Sequence, residues 1–498
     1  MGIKSFFARP LAHLIARSVR KDARHAVRDQ EKIFRQIVQA ARNTAFGKDH
    51  RFDEITHYKD FTARVPIRDY EGIKPYIERI KSGEPDVLWR GRPKYFAKTS
   101  GTTSGVKYIP ITRESLPNHF GTARNALFNY AAETGNTRWL DGKLIFLSGS
   151  PELDDLNGIP TGRLSGISNH LIPQWLKNSQ LPSYETNCIE DWEEKLERIV
   201  AETHNKNMTL ISGIPPWVQM YYERLIAHTG KSNVREIFPN YSVFVYGGVS
   251  YDPYRAKLEA LAGARVDSVE TYPASEGFIA FQDRQSAPGL LLNSNSGIFF
   301  EFVPVEEITR ENPIRLALGE VETGKNYALV INSNAGLWGY NIGDTVSFVS
   351  TDPYRLIVTG RVKHFISAFG EHVIGKEVEE AMHQACTAYG VKVVEFTVAP
   401  QVNPPEGGLP YHEWLVEFDT LPDDMAGFAA HLDLLMTQQN IYYQDLIEGR
   451  ILQPLKIVAL GRHAFRNYMK SLGKLGGQNK VPRLSNDRKI AGELLSTP

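Results

Sequence analysis

Cysteine is nearly absent from this chain, with only Cys188 and Cys386 in 498 residues. No disulfide framework and no thiolate zinc site can be built from that inventory, and a reducing cytoplasm is the expected setting. No apolar run approaches the roughly 20 residues that a membrane-spanning helix needs. Net charge is missing too, since 57 Lys and Arg balance 57 Asp and Glu. No global field would therefore draw the chain to nucleic acid or to an anionic membrane. The opening stretch MGIKSFFARPLAHLIARSVRKDARHAV interrupts its apolar residues with Arg9, Pro10 and His13. It carries no small-residue cleavage site, so it is a poor signal peptide, and Phe6 stands where myristoylation needs Ser or Thr. The sequence also lacks HExxH, CxxC and GxSxG, which removes the common zinc-protease, dithiol and serine-esterase chemistries.

What remains is an ordinary soluble composition, 42% hydrophobic and 23% charged, in a chain too long for one core. Charge is uneven along it. Residues 1–50 hold 11 Lys or Arg against 4 Asp or Glu, and residues 449–498 hold 10 against 2. In the first segment Ile3, Phe7, Leu11, Leu14, Ile15 and Ser18 fall at helical spacing, which reads as a basic-faced helix packed on the body, with surface binding as the alternative. In the last segment the charge gathers in the glycine-rich stretch GKLGGQNKVPR, residues 473–483, which suits a phosphate ligand or a solvated tail. Helices are expected near 10–42, 190–204 and 215–229. Strands are expected at Leu144–Leu147, Val243–Tyr246, Arg265–Glu270, Ala328–Asn332 and Arg355–Thr359. Their alternation predicts α/β layers with largely parallel pairing. Beyond about residue 360 the pattern becomes α+β: the strand-like HFISAFG, a helix GKEVEEAMHQAC, strands VKVVEFTVAP and YHEWLVEFD, a helix near 424–438 and a strand at 454–460. The expected domains are 1–361 and 362–498.

One phosphate-binding pattern fails on inspection. Gly370-EHVI-Gly375-Lys376 matches GxxxxGK, but Glu377 replaces the hydroxyl that must hold Mg²⁺, so the segment reads as a strand-to-helix turn. A stronger signal is Thr99-Ser-Gly-Thr-Thr-Ser-Gly-Val-Lys107, lying between the strand-like Tyr95–Ala97 and Tyr108–Ile111. Its glycines permit several N–H groups to face one anion, while Ser100, Thr102, Thr103 and Ser104 add hydroxyl donors and Lys107 a charge. Three further segments follow in order. Tyr246-Gly-Gly248 would let a flat ring approach the backbone; in Thr271-Tyr-Pro-Ala-Ser-Glu-Gly277, Tyr272 is placed to cover that ring and Glu276 to hold Mg²⁺. Tyr340-Asn-Ile-Gly-Asp344 ends in an acid after a glycine turn, suited to vicinal hydroxyls. Gly360-Arg-Val-Lys363 brings a cation to the expected domain joint.

Taken together, this series with Lys480–Arg483 resembles the ordered motifs of adenylate-forming enzymes, the superfamily of acyl-CoA synthetases and luciferases. More narrowly it is similar to the Gretchen Hagen (auxin-responsive promoter) family of acyl acid amido synthetases, known from auxin and jasmonate conjugation in plants and including bacterial-type members. Asn43-Thr-Ala-Phe-Gly47, the stretch FTARVPIRDY at Phe61–Tyr70, and Phe299-Phe-Glu-Phe-Val-Pro304 support the likeness, which runs from about residue 40 to 490. The resemblance implies a large N-terminal adenylation domain of β-sheets flanked by helices, and a smaller mobile α+β C-terminal domain carrying a catalytic lysine. It implies a two-step ligase: a carboxylic acid attacks the α-phosphorus of MgATP, then an amino acid amine displaces AMP. Carried over by position, Ser100, Gly101, Thr102 and Thr103 belong to the phosphate loop. Gly248, Thr271, Tyr272, Ser275 and Glu276 contact adenine, α-phosphate and metal, and Phe299 flanks the nucleotide. Asp344 holds the ribose with Arg361 near it, and Lys480 approaches the phosphate oxygens; Lys480 and Glu276 are the catalytic pair.

Asn341 departs from the arginine many relatives carry there, and His364 from an acidic hinge. Candidates for the acyl pocket are Phe120, Leu127, Leu171, Trp175 and Val249, although core packing explains each as well. His119 and His170 are conceivable bases for the amide step. An acyl-CoA ligase of the same superfamily and a non-catalytic nucleotide or acid sensor stand as alternatives. Small carboxylic acid and amino acid substrates are expected as partners, with no nucleic acid, no membrane, and a monomer or weak homo-oligomer.

Overall fold

The computed structural model describes residues 2–100, 106–172, 174–189, 191–248, 251–362, 365–366, 369, 371, 373–402, 404–448, 452–474, 480–485 and 487–496. The chain divides into two compact units, Met1–Ile342 with Ser347–Ile357, and Gly343–Val346 with Val358–Pro498.

The first unit opens on two helices, Ile3–Arg24 and Ala26–Ala41, in the region where helical structure was expected over 10–42. The interruption is local chemistry. Nδ1 of His25 bonds the Lys21 carbonyl at 2.8 Å, and the His25 amide turns to the Asp22 carbonyl instead, so a side chain competes with the helical ladder. The second helix buries Ile33, Phe34, Ile37, Val38 and Ala41 at the three-to-four spacing of an amphipathic helix.

An eleven-stranded sheet forms the centre of the fold. Strands Lys143–Phe146, Met208–Ser212, Val243–Gly247 and Asp267–Ala274 run parallel to their neighbours, with helices such as Pro215–Thr229 and Asp252–Ala262 in the connections. Beyond Ala274 the pairing turns antiparallel. Gly277–Phe281, Leu290–Leu292 and Tyr354–Arg361 follow one another across the sheet in that sense, and Ile298–Pro304 pairs antiparallel with Asn326–Ser333. The expectation of largely parallel pairing therefore holds for only one half. A parallel return needs a crossover of about a dozen residues or more, and the two-residue turn Ser275–Glu276 after Ala274 is too short for one.

A separate four-stranded sheet holds the hairpin Tyr95–Ser100 and Val106–Ile111, paired out to Ser100 opposite Val106. The strands expected on either side of the phosphate loop are thus present. Gly101, Thr102, Thr103, Ser104 and Gly105 lie outside the described residues.

In the second unit Lys392–Gln401 pairs antiparallel with Tyr411–Thr420, which pairs in parallel with Lys456–Leu460. The helices Gly375–Tyr389 and Met425–Gln439 complete the expected α+β order. Trp414 stacks on Phe396 at 5.5 Å within a core that includes Phe428 and Leu432. Among the described residues of HFISAFG, Phe365–Ile366 forms a short strand paired with Val373–Ile374. Glu377, which argued against a P-loop, accepts the Ile374 amide at 2.9 Å and caps the helix that starts at Gly375.

Candidate active site

The site starts where the parallel strands end, the edge at which open α/β sheets bind ligands. Gly247 pairs with Thr271, and the Thr271 hydroxyl donates to the Tyr246 carbonyl at 2.8 Å. A Cβ on Gly247 would stand 2.4 Å from the Thr271 carbonyl oxygen, so only glycine lets the two strands close here. Gly248 follows with a positive φ of 73°. The chain then turns back at Ser275–Glu276, with Ala274 opposite Gly277. Tyr272 is buried in this hairpin.

Two neighbours fix the hairpin. The helix Leu116–Thr134, which follows the phosphate-loop hairpin, sends Asn118 into it. The Asn118 carbonyl oxygen accepts the Phe278 amide at 2.7 Å, while its nitrogen donates to the Phe278 carbonyl at 3.2 Å and to the Ser296 hydroxyl at 2.9 Å. From the other side the buried Tyr340 hydroxyl donates to Glu276 Oε1 at 3.5 Å. Burial first, and the Glu276 charge second, hold the Tyr340 pKa well above the ordinary phenol value, so the phenol remains a donor.

Tyr340 is itself buttressed by the segments that supported the family likeness. The Arg68 amide donates to the Gly339 carbonyl, and the Asn341 amide to the Arg68 carbonyl, both at 2.8 Å. The Arg68 guanidinium lies 5.2 Å from the centre of the Phe46 ring and 2.7 Å from His50 Nε2. Thr44 caps the short helix Ala45–Asp49 by accepting the Gly47 amide at 3.0 Å. On the phosphate-loop side the Tyr108 amide donates to the Tyr70 hydroxyl at 2.9 Å, and Lys107 Nζ lies 5.8 Å from the Tyr70 ring.

The second unit carries its own charged set. Arg361 Nε donates to Asp344 Oδ1 at 2.8 Å, with Asp344 largely buried and Arg361 half-exposed. Asp344 lies inside the strand Tyr340–Thr351, not in a free glycine turn as its sequence context had implied. Gly343 still takes a positive φ of 86°, and its carbonyl accepts the Val362 amide at 2.7 Å. Lys480 has a solvent-accessible chain, yet protein crowding its ammonium draws its pKa down to about 8. The Asp344 charge opposes that shift, and Arg361 adds to it. The second cation of the tail motif, Arg483, is structural: it pairs with Glu379 at 3.0 Å and with Glu395, over the Phe396 ring.

Other candidates fall elsewhere. Phe299 is buried in an aromatic group, 5.0 Å from Phe34 and 5.4 Å from Tyr58, a packing position. Leu127 packs on the core formed with Phe128 and Tyr130. Phe120 and Leu171 are half-buried. Val249, Lys363, His364 and the side chains of Ser100 and Trp175 lie outside the description. His119 is buried, which draws its pKa down to about 4 and leaves it a poor base near neutrality. His170 bonds the Pro151 carbonyl through Nε2 at 2.8 Å. Sequence reasoning missed Asn118 and Arg68; the available signal was a polar residue on the inward face of a helix or beside a packed turn.

Models of the GH3 family match nearly the whole chain: its N-terminal domain over residues 15–170 and 161–266, its central domain over 291–361 and its C-terminal domain over 376–489. The chain belongs to the GH3 family. Among its GH3 relatives, indole-3-acetic acid-amido synthetase GH3.3 of Arabidopsis thaliana is 23% identical, over 91% of this chain and 88% of the relative. Jasmonoyl-L-amino acid synthetase GH3.5 of Oryza sativa subsp. japonica is 22% identical over 93% of each chain. The solved GH3.15 acyl acid amido synthetase shares the fold, with a TM-score of 0.79 at 16% identity over 96% of this chain and 95% of that one. A 2-hydroxyisobutyryl-CoA ligase in its postadenylation state aligns at a TM-score of 0.54 and 14% identity, over 97% and 92%. The GH3 chain thus shares its fold with both enzymes.

Proposed function

We propose that this GH3 chain is an ATP-dependent acyl acid amido synthetase of the cytoplasm. The observation that carries the reading is the Thr271–Glu276 hairpin at the carboxyl edge of the parallel strands. Tyr246, Asn118 and Tyr340 hold it rigid, as a site for a charged transition state requires.

In the first step a carboxylate oxygen of the acid attacks the α-phosphorus of ATP, and the bond to the β-phosphate oxygen breaks, releasing pyrophosphate. In the second an amino acid amine attacks the acyl carbon, the bond to the AMP oxygen breaks, and the nitrogen gives up a proton. The first step brings anions together, so charge must be neutralised as it develops. Thr271, Tyr272 and Ser275 bind the adenine and α-phosphate end, and Ser100 with Gly101–Thr103 the outer phosphates. Asp344, oriented by Arg361, accepts the ribose hydroxyls, and Lys480 supplies the cation for the α-phosphate. Glu276 is the hard oxygen ligand for Mg²⁺, which when bound neutralises phosphate charge. Among the described residues no three His, Cys, Asp or Glu cluster as a metal site. This fits an ion that takes one or two carboxylates and completes its shell with phosphates and water.

The test is pyrophosphate release with MgATP across a panel of carboxylic acids, first with hydroxylamine and then with amino acids or CoA. Acid-dependent pyrophosphate with hydroxamate and then amide is the expected result. A thioester with CoA in place of the amide would reassign the chain to acyl-CoA formation, and tight ATP binding without turnover would make it a sensor. Lys480→Ala should slow pyrophosphate release by about 10²–10³-fold; an unchanged rate would remove the lysine from this role.

A further inference from the structure

The first helix, Ile3–Arg24, is packed inside out. Its inward face is made of small residues: Ser5, Ala8, Ala12 and Ala16, with Val19, are buried, and Ala8, Ala12 and Val19 join Ala126, Phe128 and Trp139 in a core cluster. Its bulky residues point to solvent. Phe6 is 66% exposed, Phe7 68%, Leu11 45% and Leu14 61%, and Phe7, Leu11 and Leu14 recur at i, i+4 and i+7 along one stripe. The helix carries Lys4, Arg9, Arg17, Arg20, Lys21 and Arg24 against one acid, Asp22, and Asp22 is engaged by Asn295 at 3.0 Å. Arg9, Arg17, Arg20 and Lys21 are all exposed. The helix is firmly seated: Asp141 accepts the Gly2 amide at 2.8 Å and the Ser5 amide at 3.3 Å, and the Ser5 hydroxyl donates to the Thr137 carbonyl at 2.7 Å. The apolar stripe, residues 6–14, precedes the match to the GH3 N-terminal domain, which begins at residue 15.

We propose that this helix is a peripheral docking surface for an anionic lipid bilayer, a property separate from the ligase reaction. A helix with Phe and Leu on one face and Lys and Arg beside them lies in the membrane interface with its apolar side among the acyl chains, and each cation adds attraction to anionic headgroups. A second copy of the chain is the poorer occupant, because a two-fold contact through this face would set its cations against each other. Among the described residues no helix is long and apolar enough to cross a membrane, and the contact proposed is with the surface only. The zero net charge of the chain had pointed away from membranes. A headgroup layer, however, responds to charge within a Debye length, about 8 Å at physiological salt, and so to this patch instead of the whole-chain sum.

Flotation of the full chain with phosphatidylcholine vesicles, with and without phosphatidylglycerol, at low and high salt, tests the proposal. Binding is expected on the anionic vesicles and should weaken with salt. The triple variant Phe7→Ser, Leu11→Ser, Leu14→Ser should lose about tenfold or more of it, while pyrophosphate release in solution is unchanged. The pair Arg17→Gln, Arg20→Gln, which leaves the apolar stripe and the buried face intact, should lose about fivefold per charge on anionic vesicles and little on neutral ones. Wild-type protein that stays off anionic vesicles, or variants that bind them as well as wild type, would overturn the proposal. So would a concentration-dependent dimer in sedimentation velocity that the triple variant abolishes, which would assign the face to a second copy.

Discussion

Glu276 and Glu301 are both carboxylates on hairpins of the same sheet, and their surroundings separate the carboxylate proposed for catalysis from a structural one. Glu301 is fully buried and receives Arg315 through Nε at 2.6 Å and Nη2 at 2.8 Å, with the Tyr58 hydroxyl at 2.8 Å. Removing one partner of such a pair strands a buried charge, so Arg315→Met should cost about 3–5 kcal/mol in chemical denaturation. Glu276 sits instead at a turn. Glu276→Gln keeps the shape and removes the charge, so it should lower pyrophosphate release about 10²–10³-fold with little change in melting temperature. The role proposed for Lys480 carries a pH limit. Its pKa is drawn down to about 8, so the cation is present below that pH and lost above it. Adenylation should therefore fall as pH rises through about 8, and Lys480→Arg, which stays charged, should show a lower rate without that alkaline limb. At this scale the sequence already displayed the chemistry of Glu276 and Lys480, whose side chains stand in turn and loop segments. It did not show that Phe299 is a packing residue, since an aromatic in a strand reads the same whether it faces a ligand or the core.

Between elements, the decisive contact is Asn118, which ties the Leu116–Thr134 helix to the hairpin bearing Glu276. Asn118→Ala would leave the Phe278 amide buried without its acceptor, a cost of about 1–3 kcal/mol. It should also raise the KM for ATP, because the turn loses its latch; a stability loss with an unchanged KM would confine Asn118 to the core. Most strands and helices were legible, since period-two and period-3.6 patterns are local. The direction of strand pairing was legible only in part. It depends on linker length against the span to be crossed, and the change at Ser275–Glu276 follows from a two-residue turn. The break at His25 was hidden because it comes from one side chain outcompeting an amide for the Lys21 carbonyl.

On the scale of the whole molecule, each unit owns a core, and that of the second is centred on Trp414, Phe396 and Phe428. Trp414→Leu should lower one calorimetric transition and leave the other in place, whereas a joint shift would mean that the units unfold as one block. Whole-chain net charge does not describe a local surface, because opposite charges in distant segments cancel in the sum but not in space. The sequence by itself determined the chemical inventory and its order along the chain: a hydroxyl-rich loop, an acid in a hairpin turn, an acid beside a glycine and a lysine in a glycine-rich tail. Each depends on residue type and near neighbours. Only the tertiary structure decided which residues support those groups. Asn118 reaches the Glu276 hairpin and Arg68 the backbone on either side of Tyr340 from segments far apart in the chain, and the first helix turned its alanines inward and its Phe and Leu outward. Burial is settled by what the rest of the fold packs against a face, and helical periodicity marks the faces without saying which one is covered.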